Sequence, residues 1–136
     1  MIWIFLLAGL AAMAQYETPP DVMQFLHELA GDLANPCPEG PDACDAGAFL
    51  QHFDRAMPGY AEISSEVKEL VARGGVGSAI EIASDSGDEK KRVMELDWTL
   101  EFTDQPQRRE LIQCRIEKKG KKWEFVAFKP VDFFRY

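Results

Sequence analysis

Three segments near the end of the chain, Arg92 to Phe102, Arg109 to Lys118 and Lys121 to Pro130, read as one antiparallel meander. In the first of them Met94, Leu96, Trp98, Leu100 and Phe102 point one way while Val93, Glu95, Asp97, Thr99 and Glu101 point the other, so one face is core and one is wet. Between the second and third lies Lys118-Lys119-Gly120-Lys121. A two-residue turn at Lys119-Gly120 sets Glu117 opposite Lys122 and Arg115 opposite Glu124, two favourable cross-strand charge pairs. The same register puts Ile116 against Trp123, Cys114 against Phe125 and Ile112 against Ala127 on the inner face. Outside, Leu111 meets Phe128 and Gln113 meets Val126, which leaves Leu111, Val126 and Phe128 as an apolar patch. Such a patch needs a cover: either the C-terminal run Val131 to Tyr136 folding back, or a second copy packed sheet to sheet as a homodimer.

A fourth strand is expected earlier, Val76 to Ala83, with Ile80 and Ile82 on one side and a turn-rich connection from Ser84 to Asp88. Three helices precede it. Thr18-Pro19-Pro20-Asp21 supplies an N-cap, a proline at the first helical position and an acid in the first turn. Val22, Phe25, Leu26, Leu29 and Leu33 then recur at helical spacing to a stop near Asn35. Asp45 caps a shorter helix carrying Phe49, Leu50 and Phe53. A third stripe, Ile63, Val67, Leu70 and Val71, carries a Glu69–Arg73 pair and stops at Gly74-Gly75. The class is therefore α+β, with three N-terminal helices on a curved four-stranded antiparallel sheet.

The chain has 136 residues, enough for a single domain that buries roughly two-thirds of its unfolded surface. Met1 to Ala14 is uncharged, apolar and closes on Ala12-Met13-Ala14, which reads as a secretory signal peptide cut before Gln15, leaving residues 15–136 as the domain. The alternative is a buried apolar N-terminal helix. The run falls short of the roughly 20 residues that span a bilayer. Periplasmic or secreted localisation is expected, with no membrane attachment after cleavage. The net charge of −8 opposes nucleic acid and anionic lipid as partners.

Cys37 and Cys44 stand in a proline-rich loop, Asn35 to Cys44, that brings the thiols within bridging reach; an exported chain is expected to join them as a disulfide. Closing so short a loop contributes on the order of 2.5 kcal/mol in the chain-entropy model. Cys114, between Ile112 and Ile116, reads as a buried structural thiol. His27 and His52 form no ligand-spaced pair, so no metal site is expected, and no other cofactor is implied.

The stretch Ala48-Phe49-Leu50-Gln51-His52-Phe53-Asp54 at the end of the second helix, with Lys121-Lys122-Trp123-Glu124-Phe125-Val126 on the last strand, resembles the nuclear transport factor two-like superfamily. The run Phe53 to Tyr60, with Glu95-Leu96-Asp97-Trp98, is similar to uncharacterised exported bacterial members. The resemblance covers about Pro20 to Phe134. It implies a cystatin-like cone, helices across the concave face of the sheet, and a pocket at the open end. The superfamily holds ketosteroid isomerase, scytalone dehydratase, SnoaL-like cyclases and many non-catalytic members, so the fold does not decide activity. The isomerases carry a tyrosine on the first helix and an aspartate on a short strand after the second. This chain has neither, and no catalytic residue transfers.

The polar candidates for a site are His52 and Asp54, flanking Phe53, with Tyr60 a few residues on and Glu110 at the end of an inward-facing strand. A carboxylate and an imidazole converging on one cavity would serve as base and acid. The plainer readings are a solvated His52, a capping Asp54, a frayed Glu110, a surface Asp97 and a boundary His27. Trp98, Phe102, Trp123 and Phe125 should line any pocket. The reading that results is a non-catalytic exported domain that binds a small, partly apolar ligand or acts as a dimeric interaction module. The alternative is a lyase, isomerase or hydrolase using Asp54, His52, Tyr60 or Glu110. A third class, a partner-binding domain with a filled cone, would leave no cavity inside.

Overall fold

The computed structural model describes residues 18–136, and the expected leader, Met1 to Ala14, lies outside them. The order is α1 (Pro20–Ala34), α2 (Gly47–Leu50), α3 (Tyr60–Ala72), β1 (Gly77–Gly87), β2 (Lys91–Glu101), β3 (Arg108–Lys119) and β4 (Lys122–Lys129). The strands form one antiparallel sheet in the order β1-β2-β3-β4.

Helix α1 buries Val22, Phe25, Leu26, Leu29 and Leu33, the stripe its spacing dictates. Its cap differs from expectation. Pro19 occupies the N-cap without a side-chain bond, and the Thr18 hydroxyl instead donates to Asp85 on β1 at 2.8 Å. The Gly47 N–H donates to Asp45 at 2.8 Å, which starts the single turn of α2. Helix α3 ends at Gly74 and Gly75, both with positive φ. Gly75 is obligatory for a second reason: a Cβ there would stand 2.5 Å from the Leu33 carbonyl oxygen, where α1 and the entry to β1 meet.

The hairpin register differs from the one its charges favour. Lys119 pairs with Lys122, so the turn is Gly120-Lys121, and Gly120 takes the positive φ of 65° that a type II′ turn needs at its first central position. A Lys119-Gly120 turn of type I′ would have forced Lys119 to positive φ. Backbone sterics therefore outweigh the charge pairs, and Glu117 faces Glu124. Lys119 compensates by reaching Glu124 at 3.6 Å.

A second irregularity follows along β4. Ile116 pairs with Phe125 but Arg115 with Ala127, so Val126 is an extra residue and the strand changes face there. Phe128 consequently turns inward opposite Cys114 and is 3% exposed, whereas the expected register placed it outside. Leu111 stays exposed opposite Asp97, and Val126 is half-buried. The three-residue outer patch thus loses its largest member. Ala83 forms the matching irregularity on β1.

The chain end also departs from the expected outer cover. Phe133 and Phe134 insert between helices and sheet at 0% exposure. Phe134 meets Phe49 at 5.4 Å, Trp98 at 5.4 Å and Phe128 at 5.4 Å between ring centroids. Burying each such ring contributes about 1.5–3 kcal/mol.

Candidate functional site

The segment after α2 adds to the outer edge of β4. The Phe125 N–H donates to the His52 carbonyl at 2.8 Å and the Asp54 N–H to the Phe125 carbonyl at 2.9 Å, a parallel bridge centred on Phe53 and Phe125. Phe53 points into the core. His52 and Asp54 thereby border two different grooves.

The first groove, about 280 Å³, lies between the N-terminal half of α1, the turn after α2 and the β3–β4 hairpin. His52, 8% exposed, sits edge-on to Phe25 and bonds through Nε2 to the Asp32 carboxylate at 3.0 Å. The Trp123 indole N–H donates to Asp21 at 2.9 Å, and Lys118 donates to the same oxygen at 2.9 Å. Those two bonds, the indole first, hold the Asp21 carboxyl below the usual carboxylate range. These polar groups clasp α1 onto the sheet.

The second groove, about 830 Å³, is bordered by Asp54, Tyr60, Ser64, Lys68, Lys119 and Glu124. Asp54 and Tyr60 therefore do share one open space. Asp54 is already engaged: it accepts from Lys119 at 2.7 Å and from the Ala56 N–H at 2.9 Å. The lysine bond, followed by the amide, lowers its pKa, and the partner lysine is raised in turn. A carboxylate so stabilised is a poor proton acceptor near neutrality. Glu110 is exposed opposite Trp98 and lines neither groove.

The four aromatics expected around a pocket separate. Trp98 is fully buried with its indole N–H donating to Ser78 at 2.8 Å, and Phe125 is fully buried among Phe25, Phe53 and Phe128. Phe102 packs edge-on to Tyr136 at 5.8 Å. Trp123 alone among them borders open space, in the first groove. Phe49, Phe133 and Phe134 take the room that the other rings would have lined.

Cys37 and Cys44 are joined, and Cys114 is buried, its thiol pushed up to about 12 by desolvation. A thiol held protonated is a packing group. Among the described residues no three His, Cys, Asp or Glu side chains are grouped to hold a metal ion.

Asp32, Asp21 and Lys119 were not among the expected site residues. Each lies far along the chain from the group it fixes, at separations of 20, 102 and 65 residues. The adjacent Phe133 and Phe134 carried the one available hint, since a pair of rings in a short tail needs a covering surface.

No family model matches the chain, and neither does any curated protein. Solved structures do. Bd1075 of Bdellovibrio bacteriovorus superposes with a TM-score of 0.64 at 12% identity over 80% of this chain, which spans only 38% of that protein. An NTF-2-like protein of unknown function from Shewanella oneidensis gives 0.59 at 13% identity, covering 79% of this chain and 93% of its own. A protein of unknown function with a cystatin-like fold from Nostoc punctiforme gives 0.53 at 14%, covering 79% and 85%. The chain has the nuclear transport factor two-like fold of these structures, and at such identities the likeness concerns fold alone.

Proposed function

We propose that this chain is an exported, non-catalytic interaction domain: a cone whose interior is closed by its own C-terminal residues, so that it works through its outer surfaces. The observation that carries the reading is the insertion of Phe133 and Phe134, both at 0% exposure, between the helices and the sheet. The tail is held by polar contacts as well. Arg108 donates to the Phe133 carbonyl at 2.5 Å, and the Arg73 guanidinium lies 3.6 Å from the centre of the Tyr136 ring. The Cys37–Cys44 disulfide supports an oxidising compartment.

An enzymatic reading has one observation in its favour, the shared groove of Asp54 and Tyr60. The Lys119 bond to Asp54 weighs against it, because a base must be free to take a proton. Native mass spectrometry of protein purified from its own compartment tests the proposal. The mass of the processed, oxidised chain, alone or with a protein partner, supports it. A small molecule retained at one per chain and released on unfolding contradicts it.

A further inference from the structure

Strand β1 is an edge strand: among the described residues its only strand partner is β2. Its other side faces a groove of about 570 Å³ shared with α1 and lined by Met23, Leu26, Ala30, Ile80 and Ile82, with His27 and Glu81 at the rim. Met23 is 50% exposed there, beside a strand edge that no described strand pairs. Natural edges are blunted by lysine, proline or inward-pointing charge. The stretch Gly77-Ser78-Ala79-Ile80-Glu81-Ile82 has none of these, since its one charged residue, Glu81, pairs with Asp97 on the wet face, and the irregularity at Ala83 lies beyond it.

From this we infer that the α1–β1 groove binds an extended peptide segment of a partner protein as a fifth strand. The inference rests on the interaction-domain reading and names the partner's chemistry. Main-chain bonds to the β1 edge supply affinity, and alternate side chains supply choice. Residues on the helix side of the added strand must be apolar, to lie between Met23 or Ala30 and Ile80 or Ile82. Those on the wet side lie beside Glu81; Asp97 on the next strand is already held by Arg109 at 2.6 and 2.9 Å, so Glu81 and Glu101 are the charges that favour lysine or arginine there. The same charges disfavour a second copy at this edge, because its β1 would bring another Glu81 to a chain of net charge −8.

The test is titration of the full chain, backbone amides followed by NMR, with a blocked peptide of alternating lysine and valine and with its glutamate-valine counterpart. The lysine peptide should shift and protect amides within Ala79 to Ile82, and the glutamate peptide should not. Glu81→Lys should weaken the lysine peptide by about fivefold, the scale of a cross-strand charge pair lost and reversed. Ala30→Trp, at a partly exposed position, should fill the groove and abolish binding without lowering the melting temperature. Equal binding of both peptides, shifts confined to other surfaces, or indifference to both substitutions would overturn the inference. So would concentration-dependent protection of the same amides without peptide, which would assign the edge to a second copy. A core ligand found by mass spectrometry would defeat the interaction-domain reading while leaving these titrations separately readable.

Discussion

The ring of Phe134 stacks on that of Phe128, centroids 5.4 Å apart and planes 27° from parallel, and the contact joins the C-terminal tail to the strand that a bulge has turned inward. Had Val126 not been accommodated as an extra residue, Phe128 would face solvent and the tail would lose its partner. The filled interior thus depends on the bulge and the tail together.

Replacing Phe134 by alanine should therefore act as a core truncation. The expected loss is about 3–5 kcal/mol in denaturant unfolding, with the slope unchanged. A loss under about 1 kcal/mol would mean the ring packs far less tightly than its full burial implies.

Glu66 on α3 gives a prediction of opposite sign. One of its carboxylate oxygens is buried without a partner, and desolvation raises its pKa even though Arg135 lies near. A carboxyl with a raised folded pKa contributes most to stability when protonated, and that contribution is lost as pH rises through the folded value. Glu66→Gln should raise the melting temperature at neutral pH by a few degrees, and the gain should shrink in acid. A lower melting temperature at neutral pH would show that the charge is satisfied.

Much of the fold was legible beforehand, and the misses have a common cause. The stripes on α1 and α3 and the alternation along β2 are local repeats of one periodicity, so spacing alone placed Leu29, Ile63 and Trp98 in the core. The hairpin register hung on a single backbone requirement, positive φ at Gly120, that two plausible charge pairs obscured. The Val126 bulge has no sequence mark, and the Asp32–His52 and Asp54–Lys119 bonds join residues that only the finished fold brings together. Which surface meets solvent was thus readable for β2 and for Trp123 and Phe125 on β4, and misread for Phe128 beyond the bulge.

Asp21 should be visible in acid. Its folded pKa is depressed by the Trp123 indole and Lys118, so its contribution is present above its unfolded value, about 3.9, and is lost as pH falls through the folded one. Asp21→Asn should lower stability near neutrality, and the difference from the parent chain should close below about pH 4. A difference that persists unchanged in acid would mean that the side chain acts by packing.

Replacing both Cys37 and Cys44 by serine should cost on the order of 2.5 kcal/mol at most, because the bond closes a short loop. The strand amides should keep their protection from hydrogen exchange, since the core is built without that loop. Loss of the sheet's protection would make the bond a requirement for folding.

The most direct test of the filled interior follows the buried Trp98 indole N–H by NMR while an apolar aromatic probe such as benzene is added to the parent chain and to the Phe134→Ala variant. No change is expected in the parent chain, and saturable shifts are expected in the variant, where the vacated ring space admits the probe. Saturable one-to-one shifts of Trp98 in the parent chain would contradict it, because they would require an open pocket where Phe133 and Phe134 are placed.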